Sequence, residues 1–375
     1  MVMKQRFGVF LAACAGAAIM FAVTGTARAQ VTVAAGYTPP DDTPSVNVGG
    51  TIFADYTYVQ EPTVTDSQGN KDHANAFNVT RAYINVTGQI NHLIQFRITP
   101  DVVRVGQVDG KDVPGITGTL TYRLKYAYGQ LNFSDFTTKG SWFRLGLQQT
   151  PYVDFEESVY RYRFAGPIFV DRETFLTSSD LGATVHWNIP ENYGDIHGGV
   201  YNGDGYTRPQ DRDSQLSYQI RGTLRPLPQV AVLKGLRLTG FYDSDHFLRD
   251  AKKERAIFLA TFENPCINFG FQYNANKDQT AAGATIVESR GYSVWATPRT
   301  TMGLEALIRW DRLSPDQTKL GRKQRWIVGP AYWFPVTKSG IASAVMFKFE
   351  QTRYMGAPNS KPVEESYGLF TLFNF

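Results

Sequence analysis

Apolar and polar side chains alternate at every second position through most of the chain after residue 45. The segment 119–129 shows the pattern most clearly, because one of its faces carries Leu120, Tyr122, Leu124, Tyr126 and Tyr128 and the other carries Thr, Arg, Lys, Ala and Gly side chains. A period of two belongs to a β-strand whose two faces meet different surroundings. The pattern therefore predicts an all-β protein.

Sixteen strands are predicted, at 46–60, 77–88, 91–102, 119–132, 141–149, 179–189, 195–203, 215–225, 236–245, 254–263, 267–275, 285–296, 299–312, 323–335, 341–354 and 364–375. Short turns lie near residues 88, 263, 297 and 335, and longer polar segments lie at 61–76, 104–118, 202–214, 245–253 and 314–323. One long connection, near residue 226, falls on the side of the short turns. This alternation is typical of an up-and-down transmembrane barrel with short turns in the periplasm and long loops outside.

The two faces of the strands distinguish a membrane barrel from a soluble β-sandwich. The polar face carries many charges and several glycines, and the opposite face is crowded with Tyr, Phe, Leu, Ile and Val. Lipid requires the apolar face outward, and a water-filled lumen suits the charged face. Aromatic residues make up 14% of the chain and cluster at strand ends, as interfacial girdles require, at Tyr56, Tyr58, Trp326, Tyr332, Phe334, Phe373 and Phe375. The expected fold is a transmembrane up-and-down antiparallel β-barrel that occupies 46–375.

The last ten residues, SYGLFTLFNF, alternate in the same way and end on Phe375. Closure of a barrel requires the last strand to pair with the first, so the chain can end inside a strand. An ordinary edge strand is the alternative, and it would leave an aromatic edge exposed. A terminal strand of this kind resembles the signal read by the outer-membrane barrel assembly machinery, which is therefore an expected partner through Phe375.

The first 29 residues have the features of a secretory signal peptide: Lys4 and Arg6, then an apolar run at 7–23, then Ala-Arg-Ala before a cut after Ala29. A lipoprotein cleavage at Cys14 is the open alternative. The segment 30–45 is expected to lie in the periplasm. No later segment resembles a transmembrane helix, so an exported chain of this kind is periplasmic, secreted or in an outer membrane. The barrel pattern then predicts the bacterial outer membrane of a Gram-negative cell.

The mature chain is nearly neutral. The leader contains three basic residues and no acid, so its removal lowers the formal net charge from +4 to +1. A nucleic-acid partner is not expected for a chain with a net charge so close to zero. Only Cys266 remains after cleavage, so no internal disulfide is expected.

The longest connection, 150–178, is expected to fold into the barrel as a constriction loop. The inward faces of the strands supply Arg81, Arg97, Arg123, Lys125, Arg144 and Arg221, and the loop alternates Tyr160, Arg161, Tyr162 and Arg163 before Arg172. Inward acids are fewer, at Asp55, Asp101, Glu305 and Glu350. A basic wall in a narrow lumen attracts anions. The alternative is that these charges are hydrated and pair with one another.

Four segments resemble the phosphate-selective porin family of the O and P type: 77–90 (FNVTRAYINVTGQI), 141–158 (SWFRLGLQQTPYVDFEES), 169–173 (FVDRE) and 200–206 (VYNGDGY). The resemblance implies a 16-stranded, trimeric porin whose inward loop sets selectivity. By position it points to Arg144, Tyr160, Arg161, Tyr162, Arg163 and Arg172. The chain departs from the family at Gln149, where Lys is frequent.

The expected function is passive diffusion of small hydrophilic solutes through a porin that prefers anions or phosphate. The alternatives are a non-selective porin and a barrel that binds partners through its outer loops. Outer-membrane lipid, a homotrimer and small anions are the expected partners. The five histidines are scattered and no His or Cys pair has ligand spacing, so neither an enzyme nor a metal or other cofactor is expected.

Overall fold

The computed structural model describes residues 42–106, 111–208, 214–334, 342–356 and 361–375. Within them, sixteen antiparallel strands form one closed barrel in chain order. The prediction of the fold class is therefore confirmed. The predicted leader, both cleavage sites and nearly all of the segment 30–45 lie outside the described residues.

The barrel strands are β1 Ser45–Glu61, β2 Asn75–Gln89, β3 Ile94–Arg104, β4 Leu120–Asn132, β5 Trp142–Gln149, β6 Ser179–Ile189, β7 Gly194–Tyr201, β8 Ser217–Leu224, β9 Arg237–Leu248, β10 Ala251–Glu263, β11 Ile267–Asp278, β12 Val287–Pro298, β13 Leu304–Ser314, β14 Arg322–Trp333, β15 Ala342–Met355 and β16 Glu364–Asn374. Two short strands, Val64–Thr65 and Lys71–Asp72, form a hairpin in the first long connection. One predicted loop is wrong: most of 245–253 is strand, because β9 and β10 are joined by a turn at 249–250.

The last strand closes the ring, as predicted. β16 pairs with β1 in a register that places Phe373 opposite Ile52. The backbone of Phe375 exchanges two hydrogen bonds with Gly50, of 2.7 and 3.0 Å. A Cβ atom on residue 50 would lie 2.5 Å from the Phe375 ring, so only glycine admits this ring at the closure.

The outward face of the barrel is apolar. Val48 is 71% exposed, and Tyr122, Ile220, Phe347 and Leu369 are also exposed on this face. Closure pairs the backbone of the first and last strands, as a chain surrounded by hydrocarbon requires. Among the described residues, no helix has both the length and the hydrophobicity to cross a bilayer.

One face assignment in β4 is wrong. β3 and β4 change register between Thr99 and Pro100, so that Lys125 is an extra residue in β4. A bulge of one residue moves the side chains beyond it to the other face. Leu120, Tyr122 and Leu124 face outward as predicted, but the Tyr126 and Tyr128 rings face the lumen, where they lie under Arg97 and Arg144.

The connection 150–178 lies inside the barrel, as predicted. It contains α1 Pro151–Tyr160, a 3₁₀ turn Arg163–Ala165 and α2 Phe169–Arg172. Wall side chains donate hydrogen bonds to its backbone, from Asn268 Nδ2 to the Val159 carbonyl (2.8 Å) and from Lys348 Nζ to the Ala165 carbonyl (3.0 Å). Pro151 lies at the first helical position and favours the start of α1 there.

An apolar core fixes this loop to one side of the lumen. Its buried members from the loop include Val153, Ile168 and Phe169, and its members from the wall include Leu259 and Leu307. Several inward positions of the later strands are therefore apolar where the loop packs against them. The remaining lumen lies against the earlier strands.

Candidate functional site

The inward cations fall into two groups that we name by position. The open wall comprises β3, β4 and β5 with Arg97, Arg123, Lys125 and Arg144. The anchoring wall comprises β8 to β15, against which the constriction loop packs. The two walls hold their cations by different contacts.

Neutral groups hold the open-wall cations. Arg97 donates to Asn85 Oδ1 (2.9 Å) and to Thr99 Oγ1 (3.0 Å). Lys125 Nζ donates to Tyr83 Oη at 3.0 Å. Arg144 donates from Nε to Gln130 Oε1 at 2.6 Å.

Aromatic rings face the same cations. The guanidinium carbon of Arg97 lies 4.5 Å from the Tyr126 ring centre, and that of Arg123 lies 4.6 Å from the Tyr206 ring centre. Arg144 lies between two rings, 4.7 Å from Tyr128 and 3.7 Å from Trp142. A ring face attracts a cation through its quadrupole and leaves the net charge in place. These contacts position the cations without neutralising them.

Within the described part of the chain, no carboxylate forms an ion pair with any of these four cations. Arg97, Arg123 and Arg144 are partly exposed to the lumen, whereas Lys125 is 2% exposed. The three arginines therefore present positive charge to the lumen that no ion pair among the described residues neutralises.

The other two predicted wall cations have acidic partners. Arg81 Nη1 lies 3.4 Å from Asp101 Oδ2. Arg221 forms an ion pair with Asp195 and donates from Nε to the Pro151 carbonyl at 2.9 Å, so it fastens the start of α1 to β8.

The predicted loop arginines are also paired. Arg161 lies 3.4 Å from Glu305, and Arg163 lies 2.9 Å from Asp171. Arg163 also contacts Glu157, and Arg172 contacts Glu350. These three arginines hold the loop to itself and to the anchoring wall.

The expectation that Tyr160 and Tyr162 line the pore is corrected, because their side chains are 1% and 0% exposed. Tyr162 donates to Glu305 Oε2 at 3.0 Å, and Tyr160 accepts from Arg309 at 3.2 Å. The expected alternation of phenols and guanidiniums fails because α1 ends at Tyr160 and Arg161 adopts the left-handed conformation (φ 64°). Both rings then pack between the loop and the wall.

The sequence shows that the loop contains acids as well as bases, but it does not show which acid faces the open wall. Asp154, in the first turn of α1, is exposed to the lumen. Its position inside the barrel raises the pKa of its carboxyl, and the nearby charges of Arg144 and Arg97 act in the opposite direction. The sequence signal for it is an acidic residue shortly after Thr150–Pro151, because a Thr-Pro pair favours a helix start and an acid is favourable in the first turn of a helix.

The sequence analysis also did not predict that residues of β8 to β15 bind the loop. Arg309 binds Asp311 (2.8 Å) and donates to the Pro167 carbonyl of the loop (2.8 Å). Lys348 lies 3.0 Å from Glu350. Both pairs have a basic residue followed two positions later by an acid, which places the two charges on one face of a strand and is readable from the sequence.

Glu156 anchors α1 from the buried side. Its Oε1 accepts from Trp295 Nε1 at 3.2 Å, and the side chain is fully buried. Burial raises the pKa of Glu156 to about 7, and the hydrogen bond from Trp295 offsets only part of this effect. Its protonation is therefore coupled to the packing of the loop.

Among the described residues, no group of three or more His, Cys, Asp or Glu side chains is arranged to hold a metal ion. The site residues form a charged passage between the open wall and the packed constriction loop. The open-wall cations can attract anions on one side of the lumen. On the other side, the constriction loop fills the space and narrows the passage.

No protein-family model matches the chain, and no curated protein matches it by sequence. Solved structures do match its fold. An anion-selective porin from Comamonas acidovorans is 11% identical, with a TM-score of 0.60 over 89% of this chain and 100% of that chain. The outer membrane channel DcaP of Acinetobacter baumannii is 12% identical, with a TM-score of 0.59 over 88% of this chain and 97% of that chain.

A third match is the trimer form of OmpT, an outer membrane protein of Vibrio cholerae, folded in vitro. It is 11% identical, with a TM-score of 0.56 over 89% of this chain and 100% of that chain. The chain therefore shares the complete 16-stranded barrel of outer-membrane porins and channels.

Proposed function

We propose that the chain forms a water-filled porin for the passive diffusion of small hydrophilic solutes, with a preference for anions. The observation that carries the proposal is the open wall, whose four cations have no carboxylate partner in the described part of the chain. Asp154 stands opposite them. A narrow lumen with low-dielectric walls focuses the resulting field on a passing ion.

The proposed location is the bacterial outer membrane, after cleavage of the leader at Ala29, and the proposed assembly is a homotrimer. The apolar outward face and the barrel closure support the location. The trimer form of one structural neighbour supports the assembly. Phe375, at the closure, is the proposed recognition signal for the assembly machinery.

We expect phosphate to bind at the open wall rather than at the loop arginines. The family resemblance points to the loop arginines, but Arg161, Arg163 and Arg172 already bind carboxylates. Arg97, Arg123 and Arg144 are the open-wall guanidiniums without a carboxylate partner among the described residues, and a guanidinium can bind an oxyanion in a bidentate way.

Reversal potentials in planar bilayers under a KCl gradient test the proposal. We expect the wild-type channel to be anion-selective and the combined variant R97Q/R123Q/K125Q/R144Q to lose this selectivity while it still conducts. The matched control neutralises four exposed basic residues outside the lumen, Lys71, Lys234, Arg249 and Lys252, and should leave selectivity unchanged. A wild-type channel that prefers cations would overturn the anion preference, and a chain that does not conduct at any salt concentration would overturn the porin.

Competition against the chloride current then identifies the solute. Phosphate, sulfate and a neutral sugar are added in turn at equal concentration. Stronger inhibition by phosphate than by sulfate would support phosphate preference, and equal inhibition would support a general anion porin.

A further inference from the structure

The hydrogen-bonded ladder between β2 and β3 is short. The two strands contain 15 and 11 residues, but they pair only along Val86–Gln89 and Gln95–Ile98. On their other sides, β2 pairs with β1 and β3 pairs with β4 along nearly their whole lengths. We call the parts that do not pair with each other, 75–85 of β2 and 99–104 of β3, the lateral seam.

The sequence contains a cause for the seam. Pro100 has no N–H to donate to a ladder, and proline inside sheets is confined to edges and bulges. The register of β3 against β4 shifts at this proline, and the register of β1 against β2 shifts at Phe53. Side chains bridge the seam instead, since Asn85 accepts from Arg97 and Arg81 lies 3.4 Å from Asp101.

Two spaces meet at the seam. A cavity of about 390 Å³ lies on the lumen side and is bounded by both strands and by loop residues 163–167. A groove of about 410 Å³ lies on the outward side, beside the exposed Phe77 and Leu120. Asn78, Val79 and Arg104 line both, so these side chains lie between the lumen cavity and the outward groove.

Unpaired backbone groups cost several kcal/mol each in hydrocarbon. Such a segment is stable in a membrane where it lines a water-filled space or is covered by protein. The lumen cavity supplies such a space. The seam therefore faces the lumen cavity with its inward side and apolar surface with its outward side.

The lining of the lumen cavity has a distinct chemistry. It includes the cations Arg81, Arg104, Arg163, Arg172 and Lys348 and no acid, and its apolar members include Phe53, Val102, Phe164 and Phe370. Arg104 lies in the seam itself, where its Nη1 donates to the Gly118 carbonyl at 2.6 Å. Unlike the loop arginines, Arg104 has no carboxylate within ion-pair distance in the described part of the chain.

We propose that the lateral seam is a binding and passage site for amphiphilic anions, of which an alkyl carboxylate is the simplest. The head group binds at Arg104, and the chain lies along Val79, Val102 and Phe164. The ligand therefore moves between the lumen and the bilayer through the wall. This site is distinct from the open wall, and it does not require small anions to be the main solute.

Photolabelling tests the seam site directly, because its readout is the labelled residues and not the ion current. The full-length chain is reconstituted in phosphatidylcholine liposomes with a diazirine-bearing C10 carboxylate, irradiated and mapped by mass spectrometry. We expect labels at Val79, Val102 and neighbouring seam residues. Decanoate should compete, and decyltrimethylammonium, of equal chain length and opposite charge, should compete at least tenfold more weakly.

Three variants sharpen the result. Arg104→Gln should reduce seam labelling at least fivefold, whereas Arg312→Gln, at an exposed position on β13 away from both spaces, should leave it unchanged. Val79→Trp fills the outward groove and should abolish labelling of Val102 from the bilayer. Heat-modifiable migration on gels confirms that each variant is folded.

The alternative occupant is a second copy of the chain. With Cys266→Ser as background, Phe77→Cys should react with a lipid-soluble maleimide if the seam faces lipid. A disulfide between two Phe77→Cys protomers, or labelling that is unaffected by Arg104→Gln, would overturn the proposal. Because this readout is labelling, the porin proposal and the seam proposal fail independently.

Discussion

The open wall and the anchoring wall contain the same kinds of cation and use them in opposite ways. On the open wall, Arg97 and Arg144 are held by amides and aromatic rings, so their charge remains available to the lumen. On the anchoring wall, Arg309 and Lys348 bind carboxylates and loop carbonyls. The residue type alone therefore does not identify a selectivity residue; the partner of each cation decides whether it attracts solutes or supports the loop.

The comparison implies different outcomes for similar substitutions. A change on the anchoring wall should alter stability and the position of the loop. A change on the open wall should alter selectivity at constant stability.

Glu350→Gln should give the largest effect on stability. Glu350 is the partner of Arg172, lies 3.0 Å from Lys348 and lies 3.4 Å from Arg325. Its neutralisation removes the carboxylate partner of Arg172 and Lys348, whereas Arg325 keeps Glu173 and Asp311. Breaking a buried ion pair costs about 3–5 kcal/mol. Thermal unfolding in detergent and protease cleavage at α2 measure the loss. An unchanged unfolding temperature together with a changed reversal potential would contradict the anchoring role.

Glu156 should make the anchoring side sensitive to pH. Because its pKa is raised to about 7, the folded protein binds more protons than the unfolded chain between about pH 4.5 and pH 7. Stability should therefore fall as the pH rises through this range, by about 3 kcal/mol at most, and Glu156→Gln should remove this dependence. Unfolding temperatures at pH 5 and pH 8 test it, with Glu288→Gln, at an exposed position of β12, as the control variant that retains the slope.

Arg144→Glu should change selectivity with little change in stability. A unit charge near a passing ion contributes about 1 kcal/mol in a water-filled lumen, so the ratio of anion to cation permeability should fall at least fivefold. Arg325→Glu, on the anchoring wall, is the contrasting variant and should mainly lower the unfolding temperature. Equal permeability ratios for Arg144→Glu and the wild type would show that the open wall does not control selectivity.

Tyr128→Leu should give the smallest effect. The Arg144–Tyr128 contact is worth about 1 kcal/mol or less at a partly exposed site. The anion preference should weaken by less than in Arg144→Glu, because the charge remains but is less well positioned. Tyr292→Leu, at an outward position, should leave the reversal potential unchanged. A Tyr128→Leu effect as large as that of Arg144→Glu would indicate that the ring itself contacts the solute.

Local sequence determined the strands of this protein. Period-two alternation predicted all sixteen, because a strand between lipid and water places its two kinds of side chain at alternate positions whatever its neighbours are. The pairing of the last strand with the first also followed, since a chain in hydrocarbon leaves no edge open. The basic character of β3 to β5 could be read directly from Arg97, Arg123, Lys125 and Arg144.

Tertiary structure decided which charges are free. Arg172 and Glu350 are 178 positions apart and meet only because the loop folds against β15, so no local pattern predicts that Arg172 is neutralised. The bulge at Lys125 turned Tyr126 and Tyr128 toward the lumen, because one extra residue reverses the faces of a strand. The function of a charged side chain depends on its partner, and in this barrel most partners are distant in sequence.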